Sequence, residues 1–163
     1  MNLAASHPAS MQDAQDGSSG RIARAADTAL KGVAFLTPAL DFGIRLFVAS
    51  VFFKAGLTKI ASWSTTLQLF EYEYAVPLLP PELAAYLGTA AELTLPVLLV
   101  LGLGTRLAAL ALFVFNIVAV ISYPDLGEVG LKDHQYWGLL LLVTLLHGPG
   151  KLSLDHLIRR RFG

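Results

Sequence analysis

The chain contains no cysteine and few charged residues, and each of these absences excludes a class of protein. Without cysteine the sequence offers no disulfide, no thiolate metal site and no iron–sulfur cluster held by Cys. Lysine plus arginine and aspartate plus glutamate number 12 each, so the formal net charge is zero and no basic nucleic-acid surface is indicated. Any redox role would therefore depend on a bound cofactor.

Apolar residues are abundant and occur in runs of helix length. They make up 55% of the 163 residues, and the mean hydropathy is +0.59. Soluble proteins have an apolar content of roughly 45–50%. We therefore predict an all-α integral membrane four-helix bundle over residues 39–150, with spans at residues 41–61, 82–102, 107–123 and 134–147.

The segments outside the spans are polar or amphipathic. Residues 1–20 have no apolar run and are predicted to form a disordered tail. Residues 21–38 have one weakly apolar face, which predicts an amphipathic interfacial segment. A short interfacial helix is predicted over residues 65–74. Residues 151–163 predict a basic C-terminal interfacial helix with Ser153 as its N-cap.

The cations outside the spans are unevenly distributed, which predicts the orientation in the membrane. The polar loop predicted over residues 124–133 holds Lys132 as its single basic residue. The N-terminal segment, the turn after the second span and the C-terminal tail hold the others: Arg21, Arg24, Lys31, Arg106, Lys151, Arg159, Arg160 and Arg161. Because cytoplasmic loops carry an excess of Lys and Arg, we predict a multi-pass protein of the bacterial inner membrane with both termini cytoplasmic.

Four charged residues lie inside the apolar runs at residues 42–60 and 83–101. Arg45, Lys54 and Lys59 are on the first span, and Glu92 is on the second. A lone charge at mid-membrane costs at least ~2.5–3.5 kcal/mol, so such residues are expected to face the bundle interior and to find partners. Depth alone favours Lys54 as the partner of Glu92, whereas a first helix that continues to Trp63 favours Lys59.

Further polar groups lie close to the depth of Glu92. Pro96 comes four residues later, so the carbonyl of Glu92 loses its helical hydrogen bond. The proline would either open an acceptor-rich notch or only bend the helix. Asn116 on the third span and His134 at the start of the last add an amide and an imidazole. The candidate site consists of Arg45, Lys59, Glu92, Asn116 and His134, with Lys54 and Pro96 as secondary members.

Two interpretations of this polar set stay open. In the first, the charges are structural and fix which helix faces which. In the second, cations beside a proton-exchanging carboxylate hold a quinone head group or an oxyanion. The spacing of His134 and His147 does not favour haem, because no other span offers a histidine for a bis-histidine pair. No metal site is predicted from the spacing of the ligating residue types.

A set of short motifs runs along the predicted bundle. They are Arg45 with Gly56-x-x-Lys59, Glu92-Leu93, Leu101-Gly102, Thr105-Arg106, Gly148-Pro149-Gly150 and Ser153-Leu154-Asp155. In this combination the chain resembles the DoxX family of small four-helix bacterial membrane proteins, over roughly residues 41–157. By matching position, the resemblance implies functional importance for Arg45, Lys59 and Glu92.

The resemblance also implies a role at a redox-linked membrane complex, with the cofactor left open and a quinone as one candidate. Relatives include the DoxD-type subunit of thiosulfate:quinone oxidoreductase and a membrane partner of a complex with a superoxide dismutase and a sulfurtransferase. One alternative is a non-catalytic anchor or assembly factor that binds partner proteins or further copies of itself. A transporter of small solutes or metals is a third hypothesis, for which four spans leave little room.

Overall fold

The computed structural model describes residues 9–162, except for the side chains at residues 9–23, 25, 26 and 29. Within that part the structure has six helices and no strand, which confirms the all-α prediction. The helices are α1 (Ala9–Ala61), α2 (Trp63–Tyr72), α3 (Pro81–Leu101), α4 (Thr105–Ser122), α5 (Gly127–His147) and α6 (Leu154–Phe162).

The chain divides into two units, Met1–Thr37 and Pro38–Gly163. In the first unit, Lys31 Nζ and Asp27 Oδ2 lie 2.7 Å apart on the exposed surface. Of the predicted tail, residues 1–8 lie outside the described residues, and the backbone from Ala9 onward belongs to α1. The tail and the interfacial segment therefore stay predictions. All candidate site residues belong to the second unit.

Three helices of the described chain are long and apolar enough to cross a membrane. They are Leu30–Ala61 within α1, α3 and α4. α5 has 21 residues, as α3 has, but its first half carries Glu128, Lys132 and Asp133. The protein is therefore an all-α membrane protein in which a fourth crossing, by α5, stays a prediction.

The start of α5 corrects one prediction. The helix begins at Gly127, whereas the sequence predicts a polar loop as far as Asp133 and a helix from His134. Charged side chains suggested a loop there, but they lie on the first two turns of the helix, outside its apolar half. The other short helix, α2, begins and ends within two residues of the predicted 65–74.

The core of the bundle unites α1, α3, α4 and α5. Small residues such as Ala108 and Ala109 are buried in it, which allows helix backbones to approach closely. Phe52 packs edge-to-face against Phe115 and Trp137, with ring centroids 6.2 and 6.0 Å away. The buried apolar residues are Val48, Ala49, Phe52, Leu99, Ala108, Ala109, Leu112 and Leu141. This core fixes the depth at which polar side chains of different helices meet.

The close approach of α1 to α3 depends on Gly56. A Cβ atom at Gly56 would lie 2.9 Å from side-chain carbons of Leu93 and 3.1 Å from the Cβ of Glu92. Both distances are shorter than van der Waals contact, so a larger residue would push the helices apart. Gly56 therefore brings the backbone of α1 against the residue that carries the buried carboxylate.

We expect Gly56→Ala to destabilise the protein by about 1–3 kcal/mol, the usual cost of overpacking. Gly43→Ala is the matched control, because Gly43 is on the same helix and a Cβ there meets nothing within 4 Å. The measurement is thermal unfolding in detergent by circular dichroism. Equal melting temperatures for the two variants would contradict the proposed contact.

Candidate functional site

A salt bridge between α1 and α3 forms the centre of the site. Lys59 Nζ donates to both carboxylate oxygens of Glu92, at 2.8 Å to Oε1 and 2.6 Å to Oε2. The Glu92 side chain is 7% exposed and that of Lys59 is 17% exposed. Of the two lysines left open by the sequence, Lys59 is the partner. Such a two-oxygen, charge-assisted contact is among the stronger hydrogen-bonding arrangements.

The salt bridge lies close to mid-depth of the predicted bilayer. Glu92 is near the centre of α3, which spans Pro81–Leu101. Lys59 is near the end of α1, and its carbonyl accepts a 2.8 Å hydrogen bond from the hydroxyl of Thr66 on α2. The α1–α2 corner therefore holds the backbone of Lys59 in place while its ammonium group reaches toward the carboxylate.

A large apolar cavity adjoins this salt bridge. Its volume is about 570 Å³, within the range of small-molecule sites. The walls come from α1, α3, α4 and α5, and α2 with the segment after it closes one end. Leu87 and Val114 line the cavity and are also exposed. The cavity therefore reaches the apolar surface between α3 and α4. Its polar lining residues are Lys59, Tyr74, Glu92, Ser122, Tyr123 and His134.

Ser122 brings an unsatisfied hydroxyl to the cavity. The residue is 4% exposed, and its Oγ has no hydrogen-bond partner in the described part of the chain. Its backbone carbonyl accepts a 2.8 Å hydrogen bond from Ala75 N–H, which ties the end of α4 to the segment after α2. Because a buried polar group without a partner is costly, this hydroxyl is suited to receive a ligand atom.

Two tyrosines flank the same end of the cavity. Tyr74 and Tyr123 pack edge-to-face with ring centroids 5.2 Å apart. Burial raises the pKa of Tyr74, and the neighbouring Tyr123 and Glu92 raise it further. The phenol of Tyr74 therefore keeps its proton at neutral pH and can donate a hydrogen bond. Tyr74, Ser122 and Tyr123 were not among the sequence-based candidates, because their positions at helix ends indicated only the membrane boundary.

Arg45 lies on α1 at the other end of the bundle from the salt bridge. Its side chain is buried, and Nη1 donates to the carbonyl of Leu99 at 3.3 Å. Nη2 donates to the carbonyl of Leu152. The guanidinium also lies 5.5 Å from the centroid of the Phe42 ring. Arg45 thus shares the Leu99 carbonyl, in the last turn of α3, with the N–H of Gly102 at 3.2 Å and joins this helix end to the C-terminal segment.

Asp155 holds the same C-terminal segment against the start of α4. Its carboxylate accepts from Gly104 N–H and Thr105 N–H at 2.9 Å each and from the Thr105 hydroxyl at 3.0 Å. Burial raises the pKa of Asp155, but these hydrogen bonds outweigh that effect and lower it overall. Ser153 Oγ accepts from His156 N–H at 3.1 Å, as expected of the N-cap of α6.

The Asp155 contact predicts an acid-sensitive contribution to stability. A carboxyl with a lower pKa in the folded protein stabilises it above the unfolded pKa, near 3.8, and this stabilisation is lost as pH falls through the folded pKa. We expect Asp155→Asn to lower the free energy of unfolding at pH 6. The difference in this free energy between the variant and the unmodified protein should become smaller as pH falls below about 4. Unfolding curves in detergent at both pH values test this, and a difference that stays the same would contradict it.

Asn116 and His134 form a separate polar pair between α4 and α5. Asn116 Nδ2 donates to the His134 carbonyl at 2.9 Å, and Asn116 Oδ1 lies 2.7 Å from His134 Nδ1. Asn116 is buried, and Gly138 leaves the space that its amide occupies. His134 also lines the cavity. The contact with Asn116 orients Nδ1 of His134, whereas Nε2 takes no part in it.

The remaining candidates lie apart from the salt bridge. Lys54 is exposed, and Pro96 is fully buried inside α3. His147 Nδ1 lies 3.4 Å from Asp41 Oδ1 at the Arg45 end of the bundle. Among the side chains that the structure describes, no group of three His, Asp or Glu residues could hold a metal ion. The structure therefore brings Lys59, Glu92 and His134 to one cavity and places Arg45 in a distant helix-end contact.

The fold and the site define a small all-α membrane protein with a buried salt bridge beside an apolar cavity. The DoxX family model matches residues 40–124, and the chain belongs to this family. A relative from Haemophilus influenzae, described as an uncharacterized protein, is 33% identical over 124 residues, covering 72% of this chain and 82% of that protein. No solved structure matches the chain.

Proposed function

We propose that this protein is a quinone-binding membrane subunit of a redox-linked complex in the bacterial inner membrane. The single observation that carries the proposal is the 570 Å³ cavity, which combines apolar walls, a buried Lys59–Glu92 salt bridge and an unpaired Ser122 hydroxyl. A quinone likewise combines an apolar part with a polar part, because it has an apolar body and two carbonyl acceptors on its ring. When bound, a quinone would accept two electrons and two protons.

Residues of the chain divide into donors, proton carriers and apolar walls. Ser122 and Tyr74 would each donate a hydrogen bond to one carbonyl of the head group. Lys59 and Glu92 would hold a proton at the cavity wall, shared along a hydrogen bond of 2.6 Å. Leu87 and Val114 would admit the apolar body from the bilayer. The electrons would come from a redox centre on a partner protein.

Quinone binding to the purified full-length protein tests this proposal. Trp137 lines the cavity, and the chain has only two tryptophans, so quenching of tryptophan fluorescence by decylubiquinone reports occupancy. We expect saturable quenching, weakened by about fivefold to tenfold in Ser122→Ala, as is usual when one hydrogen bond of about 1 kcal/mol is lost. Absence of saturable quenching in the unmodified protein would overturn the proposal.

A second experiment asks whether Glu92 serves the redox function. Glu92→Gln is compared with Glu82→Gln, which changes an exposed carboxylate in the first turn of the same helix. In membranes containing the assembled complex, we expect Glu92→Gln to reduce quinone reduction and Glu82→Gln to leave it unchanged. Equal activity of both variants, at equal protein level, would contradict the assignment of a proton-exchanging role.

A second candidate function is a non-catalytic anchor or assembly factor. It is favoured by the structural contacts of Arg45, Asp155 and Asn116, each of which joins two segments of the bundle. In that case Glu92→Gln would reduce the protein level or the recovery of partner proteins, and no quinone would quench the fluorescence. The two functions therefore differ in the binding assay.

A further inference from the structure

Lys54 is a cation exposed on the part of α1 that crosses the predicted bilayer. Among the described residues it forms no salt bridge. The hydroxyls four residues before and after it are already engaged within the helix: Thr58 donates to the Lys54 carbonyl at 3.0 Å, and Ser50 donates to the Phe47 carbonyl at 2.7 Å. The Lys54 side chain is therefore exposed and has no salt-bridge partner in the part of the chain that the structure describes.

The depth of Lys54 follows from its neighbour Gly56. Gly56 packs against Glu92 and Leu93, which lie near the centre of α3. Lys54 is two residues away, or ~3 Å along the axis, so it lies close to mid-membrane as well. Because Lys59 contacts Glu92 and Arg45 contacts Leu99, α1 is antiparallel to α3 and Lys54 lies on the Leu101 side of Glu92. At 1.5 Å per residue, the Leu101 end of α3 is ~10 Å from the level of Lys54. A lysine stem covers only part of that distance, so snorkelling leaves the charge inside the apolar layer.

A charge at this depth is expensive unless it faces protein or water, so the surface around Lys54 is suited to a protein contact. Gly43 and Ser50 are small residues of the same helix, and a Cβ at Gly43 meets nothing within 4 Å. Two large apolar side chains at the same helical spacing, Phe47 and Leu57, are exposed as well. We define the Lys54 face as Gly43, Phe47, Ser50, Lys54 and Leu57.

Charge complementarity identifies the kind of partner. The acidic residues inside the predicted spans are Asp41, Glu82 and Glu92. Asp41 and Glu82 are the first residues of their spans, far from the depth of Lys54, and Glu92 is already bound to Lys59. A second copy related by a two-fold axis would place Lys54 near Lys54, which is repulsive. We propose that the Lys54 face binds a transmembrane helix of a different protein, and that this helix presents a carboxylate to Lys54. The proposal does not depend on quinone binding.

Crosslinking in native membranes tests this proposal. A photoreactive amino acid replaces Phe47 or Leu57 in the full-length protein, so that Lys54 stays in place, and crosslinked products are identified by mass spectrometry. We expect a crosslink to a membrane protein of different sequence, within a transmembrane segment that contains Asp or Glu. A crosslink only to lipid, or only to a second copy of this chain, would overturn the proposal.

Charge substitutions then test the contact with the identified partner. We expect Lys54→Met to reduce co-purified partner by about tenfold or more, as for loss of one member of a desolvated charge pair. Lys54→Arg retains the partner, and the exposed Lys132→Met is a matched control that also retains it. Lys54→Glu combined with a Lys at the partner's carboxylate position restores the complex. Equal recovery with Lys54→Met and Lys132→Met would contradict the proposal.

Discussion

Replacing Lys59 by methionine is expected to lower the free energy of unfolding by about 3–5 kcal/mol, because it leaves the Glu92 carboxylate buried without its counter-charge. Both oxygens of Glu92 are bound by the same ammonium group, at 2.8 and 2.6 Å. Glu92→Met should likewise leave the Lys59 ammonium without its counter-charge. Lys59 is the more exposed of the two residues, however, and its ammonium can move toward the membrane–water boundary. Lys59→Met is therefore expected to be the more damaging of the two single changes.

The double variant Lys59→Met/Glu92→Met separates stability from function. Since a buried salt bridge can be replaced by apolar residues of similar volume at little cost, we expect most of the lost stability to return. If the salt bridge serves proton exchange, the double variant is stable but inactive in the assembled complex. If the salt bridge only holds α1 against α3, the double variant regains both stability and activity.

Chemical unfolding in detergent, followed by circular dichroism, measures these effects. Lys54→Met is the control, because Lys54 is on the same helix but forms no salt bridge among the described residues. Its unfolding curve should match that of the unmodified protein. A double variant as unstable as Lys59→Met would show that the loss comes from packing and not from the unpaired charge.

Gly102→Ala is expected to destabilise the protein by about 2–5 kcal/mol, the sum of a left-handed backbone cost of about 1–2 and an overpacking cost of about 1–3. Gly102 has φ +68, and a Cβ there would lie 2.6 Å from Arg45 Nη1 and 2.8 Å from Ser153 Cα. The Gly102 carbonyl also accepts from Asp155 N–H at 2.9 Å. Three segments therefore meet at this residue with no space for a side chain.

Gly104→Ala is the matched control, two residues away in the same turn. Gly104 has a similar φ of +58, but a Cβ there meets nothing within 4 Å. Gly104→Ala should therefore destabilise the protein only by the left-handed backbone cost, about 1–2 kcal/mol. Thermal unfolding of both variants in detergent measures the difference. If the two glycines are equally sensitive, the close contact among Gly102, Arg45 and Ser153 is wrong.

The different environments of Arg45 and Lys59 show what sequence spacing could not provide. Both are cations on one apolar helix, and both were grouped with Glu92 as a single polar site. In the structure, Lys59 binds Glu92 while Arg45 binds backbone carbonyls at the other end of the bundle. A carbonyl at a helix end attracts a cation as a carboxylate does, but no pattern of charged residues reveals it.

The cavity shows a similar limit at Ser122 and Tyr74. Their residue types are common at the ends of membrane helices, and nothing in the sequence distinguishes them from ordinary boundary residues. They become candidates only because the segment after α2 folds back against the end of α4. The hydrogen bond from Ala75 N–H to the Ser122 carbonyl holds the two segments together. That contact joins positions that are far apart in the chain.

The amino-acid sequence by itself determined the all-α membrane class, because runs of apolar residues permit few other structures in lipid. It also determined that Glu92 needs a cation, because a lone carboxylate in hydrocarbon is expensive. Only the tertiary structure decided which cation that is. Gly56 lets α1 approach α3 and the α1–α2 corner holds Lys59, so packing, and not charge alone, selected Lys59 and left Lys54 at the surface.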